Sequence, residues 1–324
     1  MNVIVEREKG PLQELEQRIT ELRERGTGAP DDLREFEQKY SELLGDLFGN
    51  LTPWERVNMA RHPKRPLAGD YLDALDQFDE LHGDRHFRDD PALVGGFAKL
   101  RGRRVVVIAQ QKGRDTKENI RRNFGMVSPE GYRKAKRLME LASRFGLPIV
   151  TFVDTSGADP GIASEEHAQS EAIASCLLAL AKAAVPVVAT IVGEGGSGGA
   201  LALALADRVL MAENAVYSVA SPEGCAAILW GDAARAPEAA ERLKLTSADL
   251  IGFGIVDRAI EEPLGGAHRD APAFIARVLD AVDGELSALE SLKPDELREA
   301  RRARFRRIGA WEQTAQARLA TALT

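Results

Sequence analysis

Cysteine is nearly absent. Cys176 and Cys225 stand alone and far apart, which excludes a disulfide framework and a C-x-x-C metal site, so both read as buried thiols. No apolar run free of charge reaches the roughly 18 residues of a membrane span. Met1 to Lys9 carries charges where a signal peptide would place its apolar segment, so a cytoplasmic protein is expected. Positive charge is not in excess. Lys and Arg number 43 against 50 Asp and Glu, a net −7 that argues against a general nucleic-acid binder. There is no repeat of fixed period and no low-complexity tract. What is present is 324 residues, 44% hydrophobic, enough for one large domain with extensions or two modest ones.

The stretch with the strongest local signal is Val185 to Gly199. An apolar β-branched run reads as a buried strand, and five glycines follow within seven residues, Gly193 to Gly199. Ala200 to Asp207 then reads as a short helix, apolar on every face and therefore buried. Bare backbone N–H groups at a helix N-terminus favour negative charge. Three chemistries fit these letters. Gly193, Gly195 and Gly198 match G-x-G-x-x-G, with Glu213 ending the next strand as a ribose-binding acid. Gly195, Ser197 and Gly199 match the G-x-S-x-G nucleophile elbow. Gly198 and Gly199 also suit an oxyanion hole of the kind that stabilises enolates. A tight turn with no ligand is the fourth possibility, and the local letters do not choose.

In chain order, Leu12, Leu15, Ile19 and Leu22 predict an amphipathic helix ending near Gly26 to Pro30. A second helix, capped by Asp31 or Asp32, carries Leu33, Phe36, Tyr40, Leu43, Leu44 and Leu47, making a helical hairpin for packing and assembly. Thr52-Pro53-Trp54-Glu55 opens a third helix. Arg61 to Pro66 breaks it, and a boundary is placed there. Tyr71 to Leu81 reads as helical, followed by a charged loop in which His82 and His86 are weak metal candidates. Leu93 to Leu100 and Arg104 to Gln111 predict a hairpin turning at Arg101-Gly102. Lys112 and Arg114 lie just past the second strand, where a carboxylate or phosphate could be met. Glu130 to Phe145 reads as a helix, Ile149 to Val153 as a strand ending in a glycine-containing turn, and Ser164 to Ala184 as one helix. Strand, glycine turn and helix recur, an α/β layout with its chemistry in the loops after strands. The six arginines between Glu296 and Arg307 read as a solvated or interface helix, with a phosphate-binding strip as the alternative.

Several stretches together resemble one family: Gln110-Gln111-Lys112-Gly113-Arg114, Asn123-Phe124-Gly125-Met126, Pro129 to Ala135, Gly193 to Ala200, Ser221 to Ala226 and Pro263 to Arg269. In order and spacing the chain resembles the carboxyltransferase alpha subunits of bacterial acetyl-CoA carboxylase, over essentially its whole length. The resemblance implies an α/β crotonase-like fold, a ββα spiral core, with N-terminal helices over 1–65, the carboxyltransferase domain over 66–290 and a helical tail over 291–324. It implies transfer of CO₂ from carboxybiotin, held on a biotin carboxyl carrier protein and supplied by biotin carboxylase, to acetyl-CoA, giving malonyl-CoA for fatty-acid synthesis. It further implies an alpha2beta2 heterotetramer whose beta subunit holds zinc and the main coenzyme A contacts, with no metal and no membrane contact in this chain. By residue, it assigns the oxyanion hole to the backbone of Gly198 and Gly199. Substrate and biotin contacts fall to Gly195, Gly196, Ala200, Gly157, Ala158, Asp159, Lys112 and Arg114.

One departure stands out. The family turn usually reads Asp-Thr-Pro-Gly-Ala-Tyr-Pro-Gly, whereas this chain has Ser156 for the proline and Asp159 for the aromatic. Asp159 cannot hold biotin by stacking. Within this reading the biotin nitrogen takes the acetyl proton, so no side-chain base is named. A bulky residue at Gly198 or Gly199 is expected to abolish transfer while leaving assembly intact. The hydrolase alternative needs a histidine after Ser197, and only His268 follows.

Overall fold

The computed structural model describes residues 2–25 and 30–309. The expected helix ending over 26–29 and the tail beyond 309 lie outside the described residues. The N-terminal helices are α1 (Val3–Arg7), α2 (Pro11–Arg25), α3 (Pro30–Phe48) and α4 (Pro53–Ala60). Asp31 and Asp32 fall inside α3 rather than before it, because the helix already begins at Pro30. Thr52 caps α4 in a capping box with Glu55, as the sequence pattern predicts.

Then come α5 (Ala68–Asp73), β1 (Gln77–Glu80), β2 (Leu93–Leu100) and β3 (Arg103–Gln110). The β2–β3 hairpin forms as expected. Arg101 and Gly102 both take positive φ, 49° and 80°, the conformation that a two-residue hairpin loop needs. Tyr71 to Leu81 is not one helix. The chain leaves α5 at Asp73, and β1 pairs antiparallel with β2, Glu80 opposite Gly96. A Cβ at Gly96 would stand 2.0 Å from Asp79 O, so the bare glycine admits this edge strand, a long-range pairing that local periodicity cannot report.

The parallel part follows: α6 (Thr116–Arg121), α7 (Pro129–Phe145), β4 (Ile149–Thr155), α8 (Ile162–Glu166), α9 (Gln169–Lys182), β5 (Val187–Gly196), α10 (Ser197–Ala204) and β6 (Arg208–Ala212). The single helix expected over 164–184 is two, broken at Ala168 with φ 62°. There Gln169 turns its amide onto the carbonyls of Val127 and Asp159. The strand β5 also differs from expectation, because it runs through Gly196, so Gly193, Gly195 and Gly196 are strand residues. The helix starts at Ser197 instead of Ala200 and ends at Ala204, leaving Leu201 partly exposed and Asp207 outside it.

The remaining elements are β7 (Val216–Ser218), α11 (Pro222–Trp230), α12 (Ala236–Leu243), α13 (Ser247–Gly252), β8 (Arg258–Ile260), α14 (Ala271–Leu289) and α15 (Pro294–Arg307). The sheet order is β1-β2-β3-β4-β5-β6-β8, antiparallel through β3 and parallel beyond it, with β7 joining the far end of β5. Strands β4 and β5 are buried throughout, as sheets covered on both faces require. Helices α7, α9 and α10 pack together by β2–β5, and α14 packs on β5, β6 and β8. Among the described residues no helix is long and apolar enough to cross a membrane.

The terminal helices are sewn to this core by buried charge. In α15 only Arg301 among the arginines is buried. It meets Asp207 at 2.9 and 2.6 Å and donates to the carbonyls of Leu180, Ala183 and Val185 at the entry to β5. At the other end, Glu8 accepts from His62 Nε2 (3.0 Å), His268 Nε2 (2.7 Å) and Arg269 (2.7 Å), and the two imidazoles stack at 3.7 Å. These three ligand-type residues bring their atoms within 4.8 Å of one another. However, His62 Nδ1 accepts the Lys64 N–H, so a neutral ring keeps its proton on Nε2, facing Glu8. The trio is therefore built as a hydrogen-bonded anchor.

Two outcomes follow. Removing one partner of a buried ion pair strands the other, so Arg301→Ala should lower stability by about 3–5 kcal/mol in chemical denaturation. Acid should loosen the N-terminal anchor. Burial would raise the Glu8 pKa, but the hydrogen bonds from His268 and His62 and the Arg269 charge hold it well below its ordinary 4.5. Burial, with Arg269 beside it, holds His268 below its ordinary 6.5, against the pull of Glu8. Both groups thus contribute stability that is full above pH 6.5 and declines on acidification, first through the imidazole and then through the carboxylate. Corrected for the intrinsic exchange rate, amide protection in α1 and α2 should fall below pH 6.5 before that of the sheet does.

Candidate active site

The parallel register places the end of β4 beside the end of β5, Thr155 opposite Gly195. Beyond Thr155 the chain crosses directly over the glycines. A Cβ on Gly196 would lie 2.1 Å from Ser156 O, and one on Gly199 would lie 2.5 Å from Ala158 N. The crossing is held by Thr155, whose hydroxyl donates to Gly157 O at 2.6 Å and accepts the Gly157 N–H at 3.1 Å. Gly198 is different: only Ile173 side-chain atoms come within 4 Å of its missing Cβ.

Gly196 is the N-cap of α10, and no side chain caps the turn. The N–H groups of Gly198 and Gly199 therefore lack partners inside the helix. Ser197 is exposed and Gly198 half-buried, so this turn opens to solvent, while Gly199 and Ala200 are buried. Ser197 takes φ 53°, a conformation costing a residue with a side chain about 1–2 kcal/mol. The Gly199 carbonyl accepts from two buried side chains, Gln110 Nε2 at 2.7 Å and Tyr132 Oη at 3.2 Å.

Beside the turn runs a chain of opposite charges. Lys112 Nζ lies 2.7 Å from Asp154 and 2.8 Å from Glu194. Glu194 also accepts from Arg61 at 2.6 Å, and Arg61 reaches Glu223 at 2.5 Å. Burial would raise the Glu194 pKa, but Lys112 and Arg61 hold it well below 4.5. Burial would lower that of Lys112, but Asp154 and Glu194 raise it, keeping the ammonium charged. Arg65 and Glu262, both buried, pair at 3.0 and 2.5 Å, and Arg65 donates to Val192 O in β5. A cavity of about 340 Å³ is lined by Arg61, Lys112, Arg114, Phe124 and Ser156.

The predicted residues separate into groups. Gly198 and Gly199 stand together with Gly157 and Ala158 at the opening. Gly195 and Gly196 sit behind them, Gly195 against the Tyr217 ring, and Ala200 is enclosed. Lys112 and Arg114 line the cavity, but both are engaged, Lys112 as above and Arg114 with Asp70. Asp159 accepts from Gly161 N and Ser164 Oγ and so fixes the turn into α8.

The dinucleotide reading fails because Gly193 and Gly195 lie within the strand rather than in its turn, and a Cβ on Gly193 would meet Asp154. Glu213 accepts from the Glu262 backbone. The hydrolase reading lacks its relay, since His268 is committed to Glu8 and, among the described residues, no histidine is hydrogen-bonded to Ser197. His82 binds Asp89 on a non-helical loop, so no helical His82–His86 pair arises.

The family described as acetyl co-enzyme A carboxylase carboxyltransferase-like matches residues 4–309. The acetyl-coenzyme A carboxylase carboxyl transferase subunit alpha of Erythrobacter litoralis is 52% identical over 95% of this chain and all of its own length. That of a Thermus thermophilus strain is 53% identical over 94% of this chain and 98% of its own. The chain belongs to this carboxyltransferase alpha subunit family. Among solved structures, the transcarboxylase 12S core matches with a TM-score of 0.56 at 22% identity, over 69% of this chain and 41% of that one, a likeness of fold alone. The fold of this family member is thus crotonase-like, an α/β core with helices at both termini.

Several residues escaped the sequence reading of this alpha-family chain. The motif Gln110 to Arg114 drew attention for its cations, whereas Gln110 and the motif residue Tyr132 reach the glycine turn. Arg61 and Arg65 in their basic run, Glu194 among its glycines and Glu262 beside Glu261 left no local signal that sets them apart as site residues. The structure also restricts one expectation. At Gly199 even a methyl group must push the Gly157–Ala158 backbone away, so assembly would not survive a bulky residue unharmed. Gly199→Ala should therefore cost roughly 1–3 kcal/mol, as overpacking does, while Gly198→Ala should cost much less. Thermal unfolding of the two variants measures the difference.

Proposed function

We propose that this chain is the alpha half of a cytoplasmic acetyl-CoA carboxylase carboxyltransferase. It moves CO₂ from carboxybiotin on a biotin carboxyl carrier protein to acetyl-CoA, forming malonyl-CoA at the committed step of fatty-acid synthesis. The observation that carries the reading is the pair of N–H groups of Gly198 and Gly199, unpartnered among the described residues, at a solvent opening in a chain of this family. Carboxybiotin comes as a substrate on its carrier, and negative charge gathers on its ureido oxygen as the carboxyl group leaves. The two N–H groups donate to that oxygen from a turn already in place, where fixed donors are most effective. Gly157 and Ala158 wall the opening, Lys112 and Arg114 line the cavity beside it, and Asp159 supports biotin indirectly by fixing its turn. Gly195, Gly196 and Ala200 act from behind, as the packing that sets the turn. No side-chain base is assigned. Lys112, beside the turn, is held charged between two carboxylates, and the departing ureido nitrogen takes the acetyl proton.

The relatives' designation as subunit alpha supports a beta partner. In this reading beta supplies the second oxyanion hole, the main coenzyme A contacts and a zinc site, within an alpha2beta2 assembly fed by biotin carboxylase. Strand β7 joins β5 at Gly196 opposite Ser218, one residue from the donor turn, and the arm that follows leaves Val219, Ile228 and Leu229 in solvent. This apolar arm, continuous with the site, is the surface assigned to beta.

The reverse reaction, malonyl-CoA plus biocytin, tests the reading. Transfer is expected only with this chain and its beta partner together, and Gly198→Val should lower kcat by about 10²–10³. Transfer by the chain alone, or none in a verified complex, would overturn it. Replacing both Ile228 and Leu229 by Asp should weaken association with beta in light scattering while the isolated chain keeps its fold.

A further inference from the structure

Five glycines in seven residues give the donor turn more backbone freedom than any other stretch of the chain, yet fixed donors are what the proposed reaction needs. Something outside the glycines must hold the turn. Close packing of Gly196 and Gly199 on Ser156–Ala158 limits translation. Rotation of the first turn of α10 about its axis is limited by what binds its carbonyls. In the regular helix, carbonyls and N–H groups point in opposite directions along one axis, so a carbonyl fixed in the first turn fixes the aim of the N–H groups beside it.

Gly199 O is held by two side chains from different elements. Gln110 closes β3 and donates Nε2–H at 2.7 Å. Tyr132 lies in the first turn of α7 and donates Oη–H at 3.2 Å. Both are completely buried. The amide orientation follows from chemistry, because Gly199 O can only accept and so must face the Gln110 NH₂. Among the described residues, Gln110 Oε1 is left without a partner in the interior. An orphaned buried acceptor is costly, and it persists here beside a contact on the one turn that carries the donors. Burial raises the Tyr132 pKa, so its hydroxyl stays protonated and remains a donor.

We propose that Gln110 and Tyr132 are positioning residues for carboxyl transfer, a two-donor clamp on Gly199 O that fixes the aim of the Gly198 and Gly199 N–H groups. The inference rests on the carboxyltransferase reading above. Neither residue touches substrate. Each acts through the backbone of α10, so its loss should lower kcat and leave KM unchanged.

The test uses the complex of this chain with its beta partner in the malonyl-CoA plus biocytin reaction. Tyr132→Phe and Gln110→Met keep side-chain volume and remove one donor each. Each should reduce kcat about tenfold with both KM values unchanged. Gln110→Glu gives a sharper readout, because a neutral carboxylic acid can donate to Gly199 O and a carboxylate cannot. Its kcat should fall with rising pH over a range where the wild-type complex does not fall. Amide exchange of Gly198 and Gly199 in Tyr132→Phe, followed without any substrate, should be faster than in the wild-type chain. Unchanged kcat in a folded and associated Tyr132→Phe would overturn the clamp. So would a loss confined to thermal stability, or a Gln110→Glu profile parallel to wild type. If the wild-type complex transfers nothing, the carboxyltransferase reading fails instead, and the exchange measurement still decides whether the clamp orders the turn.

Discussion

The site depends on two backbones lying against each other with no side chain between them. Gly196 and Gly199 meet the Ser156–Ala158 crossing at distances that exclude a single methyl group. Glycine is needed at these two positions for clearance, since neither takes a left-handed φ. The contact ties the end of β4 to the end of β5 and the start of α10, and it gives the free N–H groups a rigid floor. Gly198, alone among the five, has room for a Cβ at ordinary contact distance from Ile173, so the one glycine that packing could spare is the one beside the opening.

Charge organises the ground around this contact. The run Glu223, Arg61, Glu194, Lys112 and Asp154 alternates in sign, and each buried member is neutralised by its neighbours. Such networks add little net stability compared with apolar packing, but they are intolerant of a missing member. Arg65 and Glu262 repeat the arrangement one layer deeper and hold the Asn214 and Ala267 backbones as well. Arg61 and Arg65 follow α4, so residues just past the N-terminal helices complete the surroundings of a strand more than a hundred positions away.

Much of this was legible in the sequence. The hairpin at Arg101-Gly102, the capping box at Thr52, the helix over 130–145 closed by Gly146, and the buried β-branched strands all follow from local chemistry. The donor turn was legible as a place for negative charge. The register of its glycines was not, because a strand that continues through Gly196 is held there by pairing with β4 and β7, and pairing is not a local property. For the same reason β1 reads as helix by composition. The break at Ala168 is set by Gln169 reaching Val127 and Asp159, and polar side chains that reach across the fold have no sequence period. Gln110 and Tyr132 lie within motifs that were singled out, yet nothing in a string of letters says that both end on one carbonyl.

The core is fastened at the central strand by Arg301 and at the N-terminal helices by Glu8. The carbonyls of Leu180, Ala183 and Val185 at the entry to that strand wait for Arg301, while Glu8, which meets His62 early in the chain, gains its other two partners only at His268 and Arg269. During synthesis on a ribosome neither fastening can be completed until residues 269 and 301 have emerged. The nascent chain must therefore carry these carbonyls and Asp207 without their arginine until then, and loop closures of this span are slow. A product cut short before residue 301 would expose these same carbonyls and leave Asp207 unpaired, a form that cellular quality control is equipped to remove.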